Sequence, residues 1–278
     1  MSADLRPYAA AFAARFQLML QYRAAALAGF ATQCWWGAIK VMVYAAFFAA
    51  SPAAAANAPI TLSQAITYTW LAQAFLTLSP WSGDPEISQA VRSGGVGYDR
   101  LRPLDTYTWW YVRAAAWMTA RALPRAGLML LTAGIALPLL GLEAWSWRPP
   151  ADAIQAGLFA ISMILVVLLS SAFVMLLNIT AVATMDERGV NTLVASVLIL
   201  LSGNLLPLSL FPDWAQTFLF LQPFAGLIDI PFRIYFGGLT GGDAFAGLGL
   251  QLFWTLVFLV IGRRWMSAQM QRLQMQGG

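Results

Sequence analysis

The chain has 278 residues, of which 60% are hydrophobic and only 10% charged, and its formal net charge is +4. Soluble domains carry about 25% charged residues, so this composition excludes an ordinary soluble protein and indicates a polytopic membrane protein. The chain has no histidine, and no two carboxylates share one of its long apolar stretches. Acid–base or metal-dependent enzyme chemistry within the membrane is therefore disfavoured.

The stretches between charged residues locate the candidate spans, because a membrane-spanning helix needs about 20 mainly apolar residues. Broken at their turn signals, these stretches predict six spans, at 24–49, 62–80, 126–142, 155–182, 190–210 and 244–262. We therefore expect an all-α fold that forms one transmembrane domain over residues 1–278. The two prolines of SPAAAANAP are typical of a short surface turn between the first and second spans.

The basic residues predict the orientation of these spans. With both termini cytoplasmic, only Arg148 and Arg233 fall outside, and Lys40 lies within a span. The cytoplasmic arginines are then Arg6, Arg15, Arg23, Arg92, Arg100, Arg102, Arg113, Arg121, Arg125, Arg188, Arg263, Arg264 and Arg272. The positive net charge follows from this orientation, so no nucleic acid partner is expected. The first residues, MSADLRPYAA, lack a signal-peptide pattern, and we expect the first span to remain as an anchor.

Residues 1–23 precede the first span and have their own pattern. Large apolar side chains recur at helical spacing, which predicts an amphipathic helix in the inner membrane interface. They are Leu5, Tyr8, Phe12, Phe16 and Met19. Arg15 falls near this apolar face and is expected to extend its charge towards water. A simple extension of the first span remains the alternative.

Residues 81–125 form the most densely charged segment of the chain. Asp84 can cap a helix, and a proline and Glu86 follow it in positions that suit the first turn. A Ser-Gly-Gly run ends this helix after little more than two turns, and Ile87 and Val91 share one side of it. Because so short a helix is not stable alone in water, we expect it to dock on another surface. The alternative is a solvated loop with one helical turn.

The remainder of this segment is rich in arginine, tryptophan and tyrosine. These residues predict a helix that lies along the inner interface before the third span begins at 126.

Residues 204–243 contain four prolines and end in a run of glycines. The two apolar pieces between them are too short to cross a bilayer. We interpret them as a re-entrant pair that caps the outer ends of the fifth and sixth spans. Two amphipathic turns on the outer leaflet are the alternative. Asp229 and Arg233 lie four residues apart and are expected to pair with each other.

Three stretches carry a family resemblance: AVRSGGVGYDRLRPLDTY, PLSLFPDWAQTFLFLQPFAGLIDIPFRIYFGGLTG and the terminal QLFWTLVFLVIGRRWMSAQMQRLQMQGG. The chain resembles type-2 ATP-binding-cassette permeases nearly end to end, specifically the bacterial subgroup that includes viologen-exporter permeases. The resemblance implies six spans, an N-terminal elbow helix, a cytosolic coupling helix after the second span and short outer helices before the sixth. It also implies a half-permease in the bacterial plasma (inner) membrane. The expected cargo is a small amphipathic or hydrophobic compound, cations included.

The chain has no GxxxxGK[ST] phosphate-binding motif, so we expect it to be no enzyme and to hold no cofactor of its own. The resemblance places ATP and Mg on separate ATPase subunits. It further implies a second permease subunit, the same chain or a related one, and membrane lipids as partners.

The residues expected to couple to the ATPase follow from this resemblance. The docking face is expected to consist of Glu86, Ile87 and Val91, next to the capping Asp84. The residues expected to anchor the base of this helix are Arg92, Tyr98 and Arg102. The loop Asp186, Glu187 and Arg188 is either a second contact or a tight turn.

The candidate residues of a substrate path are polar or aromatic side chains within the spans: Gln33, Trp36, Lys40, Gln73, Asn178 and Asn204. Lys40 either faces a cavity or extends towards the outer interface. Asn178 and Asn204 either bridge helices or line the path. Two other functions remain open: an ion-gradient-driven secondary transporter, although the spans offer no coupling carboxylate, and a non-transporting membrane scaffold.

Overall fold

A computed structural model describes residues 5–50, 55–184 and 188–272. Over these ranges the chain forms helices and no strand, which confirms the all-α class. The helices are α1 (Arg6–Leu20), α2 (Arg23–Ala50), α3 (Leu62–Ala74), α4 (Pro85–Arg92), α5 (Val96–Arg100), α6 (Thr106–Leu131), α7 (Ala153–Thr184), α8 (Arg188–Leu201), α9 (Asp213–Leu221), α10 (Asp229–Tyr235) and α11 (Gly241–Arg272).

Three helices in the described part of the chain are long and apolar enough to cross a membrane. They are Thr106–Leu139, which is α6 with its continuation, Ala153–Thr184, and Gly241–Gln271 within α11. Their number confirms a polytopic membrane protein. Helix α2, with 28 residues, is also long enough, although Gln33 and Lys40 lower its hydropathy.

No helix boundary lies at residue 126, where the third span was predicted to begin. Instead of an interfacial helix followed by a span from 126, a single helix runs from Thr106 to Leu139 and is about 51 Å long. Asp105 caps it, since its Oδ2 accepts a hydrogen bond of 2.9 Å from the Thr108 N–H. The prediction placed the boundary by charge, but the alanine-rich stretch after Arg113 favours a continuous helix.

Two other predicted spans are shorter than expected. Helix α3 ends at Ala74 and continues only as the 3₁₀ turn Leu76–Leu78, whereas the sequence predicted a span to residue 80. Helix α8 ends at Leu201, not at residue 210, and its 14 residues cover only about 21 Å. A glycine with φ of +89° at position 203 turns the chain out of α8.

The bundle has two ends, defined here by the two ends of α6. At the proximal end, the first turns of α6 pack against α4, α7 and α11 through Tyr107 and Trp110. At the distal end, the Trp147 indole N–H donates to the Leu130 carbonyl of α6 at 2.8 Å. The Tyr235 hydroxyl of α10 donates to the Arg148 carbonyl at 3.0 Å, so the segment that contains α9 and α10 lies at the distal end.

Helix α1 lies beside the proximal half of α6, where the Asp105 N–H donates to the Tyr8 hydroxyl at 3.2 Å. Its buried residues are Ala11 and Arg15, and Tyr8, Phe12, Phe16 and Met19 of the predicted apolar stripe are partly buried beside them. Arg15 does not extend towards water as the sequence predicted. It lies inside the protein because its guanidinium forms ion pairs there with Asp84 and Glu86.

Gly203 lies where the chain leaves α8, and an added Cβ would overlap the Tyr68 hydroxyl. We therefore expect Gly203→Ala to destabilise the protein by about 1–3 kcal/mol, since alanine disfavours this positive φ and the hydroxyl would be displaced. The thermal unfolding midpoint in detergent measures this effect. Gly127→Ala in α6 is the control, because its Cβ would meet no atom within 4 Å. Equal midpoints for both variants would contradict this account.

Candidate functional site at the short helix α4

Helix α4 forms where the sequence predicted a short docked helix. The Asp84 Oδ1 accepts a hydrogen bond of 3.0 Å from the Glu86 N–H, which caps the first turn. The helix ends at Arg92, and Gly94 leaves it with φ of +74°. Both predicted ends of the helix are confirmed.

Four charged residues from three elements meet at the start of α4, and we call them the α4 charge cluster: Arg15, Asp84, Glu86 and Arg113. Arg15 is only 5% exposed, and its Nη2 lies 3.2 Å from an Asp84 oxygen. It also bonds Glu86, which accepts a second hydrogen bond from Arg113 Nη2 at 2.8 Å. The cluster joins α4 to α1 and α6.

The two guanidiniums and two carboxylates of the α4 charge cluster balance each other. Asp84 is fully buried, and burial raises the pKa of its carboxyl above the ordinary value while the Arg15 guanidinium opposes that rise. Removal of one partner from such a buried pair costs far more than the pair itself contributes, because the other charge stays buried. The cluster is therefore sensitive to each single substitution.

Asn178 of α7 is a further support of α4. Its Oδ1 accepts a hydrogen bond of 2.7 Å from the Asp84 N–H, and it is fully buried. The chain approaches so closely only because residue 83 is glycine, where a Cβ would lie 2.7 Å from the same oxygen. Asn178 therefore bridges α7 to the start of α4, which was one of its two predicted roles, and its place on a substrate path stays a prediction.

The apolar side of α4 faces this chain's own helices. Ile87 is 2% exposed and Val91 is also buried, in a cluster with Trp110 of α6, Met175 of α7 and Met266 of α11. The helix therefore uses Ile87 and Val91, which the sequence placed on its docking face, to attach itself to the bundle. The exposed side of α4 carries Pro85, Glu86, Gln89 and Arg92.

The segment after α4 is held by Arg102, which was predicted, and by Asp99, which was not. Asp99 accepts a hydrogen bond of 3.0 Å from the Trp110 indole and pairs with Arg102 at 3.3 Å. The Arg102 guanidinium also lies 4.6 Å above the Trp109 ring. Tyr98 is 76% exposed, so it does not hold this segment to the rest of the chain. Asp99 was missed, because it lies 11 residues before Trp110 and no short sequence spacing indicates the bond.

The second predicted coupling loop is described only in part. Arg188 is the first residue of α8 and is exposed. Asp186 and Glu187 lie outside the described residues.

Most of the predicted path residues do not converge on one cavity. Gln33 and Gln73 are buried, and Trp36 is 54% exposed on α2. Lys40 and Asn204 do meet, because the Lys40 ammonium donates to the Asn204 carbonyl at 2.6 Å and to its Oδ1 at 3.2 Å. A cavity of about 460 Å³ beside α6 has an apolar lining that includes none of the predicted path residues. No group of residues in the described ranges has the ligands for a metal ion.

Comparison with known proteins gives one finding. A family described as "ABC-2 family transporter protein" matches residues 60–277 of the chain. No curated protein matches it.

Proposed function

This chain belongs to the ABC-2 family of transporter proteins, and we propose that it is the membrane-spanning half-permease of an ATP-driven exporter. Two permease subunits, identical or related, surround the translocation path in the bacterial inner membrane, with their termini in the cytoplasm. Two separate ATPase subunits bind ATP and Mg beneath them. The cargo is a small amphipathic or hydrophobic compound, cations included, as in the viologen-exporter subgroup that the sequence resembles.

In this proposal the helices take the roles that the sequence resemblance implies. Helix α1 is the elbow helix, α4 is the cytosolic coupling helix, and the segment with α9 and α10 lies on the outer side. The six spans contain α2, α3, α6, α7, α8 and α11. Because α3 and α8 are short, the turns that follow them complete their passage across the bilayer.

The observation that carries the proposal is the attachment of α4. Its first turn is tied to α1 and α6 by the α4 charge cluster, and to α7 by the hydrogen bond between Asp84 and Asn178. Its apolar side is buried against α6, α7 and α11. A displacement of α4 is therefore transmitted to four helices at once, as a coupling helix requires.

The exposed side of α4 is the proposed contact surface for the ATPase. It is polar, with Glu86, Gln89 and Arg92, and the exposed Arg102 lies beyond its C-terminal end. ATP binding closes the ATPase dimer and moves α4 together with its four attached helices, which turns the path from inward-facing to outward-facing. Hydrolysis resets the bundle.

Transport in inside-out vesicles tests the proposal. We expect the purified chain to bring an ATPase with it, and the complex to accumulate a fluorescent hydrophobic cation only when ATP is supplied and hydrolysed. A non-hydrolysable ATP analogue and an ionophore that collapses ion gradients are the two controls. Uptake that needs no ATP but stops with the ionophore would favour a secondary transporter instead. Absence of both an ATPase and uptake would favour a scaffold.

A further inference from the structure

At the distal end of the bundle, the turn after α8 is held from several sides. We define the distal turn as residues 202–208. The Asp229 N–H of α10 donates to the Ser202 carbonyl at 3.1 Å, and the Leu208 N–H donates to the Asp229 carboxylate at 2.9 Å. The Tyr68 hydroxyl of α3 donates to the Gly203 carbonyl at 2.9 Å.

The attachment to α10 and α3 is fully buried. Asp229 has no exposed surface and pairs with Arg233, whose Nη1 lies 3.6 Å from its Oδ2, so the predicted pairing of these two residues is confirmed. Tyr68 is buried as well, and its ring packs edge-on against Phe232 of α10. Separation of these groups would leave a buried carboxylate without its donors, so this side of the distal turn is fixed.

The attachment to α2 is of a different kind. Lys40 is half-buried, and among the described residues its ammonium bonds only to the two neutral oxygens of Asn204. Beyond Lys40, α2 meets this region through a small apolar cluster. Its buried members are Tyr44 of α2, Ile60 just before α3 and Ala65 of α3, and Leu206 and Leu210 pack against it. The main packing of α2 is against α3 and α6. The contact between α2 and the distal turn can therefore separate while α10 and α3 keep their hold on the turn.

We propose that the Lys40–Asn204 contact is a latch between α2 and the distal turn, and that the distal end of the bundle opens when this contact breaks. A lysine ammonium within a span needs a polar partner. Asn204 supplies that partner in the closed arrangement, and water supplies it in the open one. Release of the latch therefore requires water to enter at the distal end, as an opening transport path would allow.

The inference rests on the proposed function in one respect: opening of the distal end serves transport only if the chain is a permease. The latch itself is a property of this chain, so it is tested without ATP and without an ATPase. If the latch fails its test, the permease assignment still stands. If the permease assignment fails, the contact between α2 and the distal turn can still act as a latch.

Cysteine labelling tests the latch directly. The chain has a single cysteine, so Cys34→Ser gives a background for single-cysteine reporters. Leu206→Cys is the reporter, because Leu206 packs on the apolar cluster through which Tyr44 of α2 meets the distal turn. Leu208→Cys is the matched control, because Leu208 is buried in a different cluster with α9 and α10. The labelling rate with a membrane-impermeant maleimide is measured in sealed vesicles of each orientation.

We expect Lys40→Met to raise the labelling rate of the Leu206→Cys reporter at least about fivefold, and to leave the Leu208→Cys control unchanged. Lys40→Arg should restore the slow rate. Asn204→Asp should slow it further, because the contact then becomes an ion pair. Equal rates at the reporter with and without Lys40→Met would overturn the proposal, as would a parallel rise at both positions. If Lys40→Met does not fold, an unchanged reporter rate in Asn204→Asp overturns it equally.

Discussion

Arg15→Met is expected to destabilise the protein by about 3–5 kcal/mol, because it leaves Asp84 buried without its cation. The side chain of Arg15 is 5% exposed and that of Asp84 is fully buried, so solvent cannot replace the lost partner. Methionine keeps most of the apolar volume of the arginine stem and removes only the charge. The thermal unfolding midpoint and the ATPase activity of the complex measure the result, and both should fall.

Two matched variants define the origin of that loss. Arg23→Met removes an exposed arginine from the start of α2 and should change the midpoint little. Arg15→Lys keeps the positive charge but lacks the planar fork that reaches both Asp84 and Glu86, so it should recover only part of the stability. If Arg15→Met were as stable as Arg23→Met, the α4 charge cluster would not hold α4 in place.

The sequence predicted the class of the fold because the relevant signals are local. Apolar stretches between charges indicate spans, and an Asp-Pro-Glu start followed by Ser-Gly-Gly indicates a short helix. Both signals gave correct results, in α7, α11 and α4. No helix boundary occurs at 126, because arginines mark membrane depth but do not end a helix. The fifth predicted helix ends early because the single turn at Gly203 interrupts an apolar stretch that hydropathy treats as continuous.

The residues of the candidate site were only partly predictable, because tertiary packing decides their roles. Ile87 and Val91 were correctly placed on one side of α4, but the sequence does not state what that side faces. In the sequence, Arg15 is a charged residue next to an apolar stripe. Only the fold brings it to Asp84, 69 residues further on. A charge that breaks the apolar pattern of a helix is thus the one available signal for such a long-range pair.

The contrast between the two sides of α4 separates attachment from docking. Ile87→Asp is expected to destabilise the protein by at least about 4 kcal/mol, because it places a carboxylate among Trp110, Met175 and the other apolar residues of that cluster. Gln89→Asp puts the same charge on the exposed side of the same helix. It should change the free energy of unfolding by no more than about 0.5 kcal/mol but weaken binding of the ATPase.

The two substitutions therefore move two measurements in different ways. Co-purification with the ATPase reports docking, and thermal unfolding of the chain alone reports attachment. Ile87→Asp should lower both, since an α4 that has left the bundle can neither stay folded nor transmit force. Gln89→Asp should lower the first and spare the second. If Ile87→Asp kept the unfolding midpoint and lost only the ATPase, Ile87 would face the partner after all, and the burial of α4 against α6, α7 and α11 would not describe the working transporter.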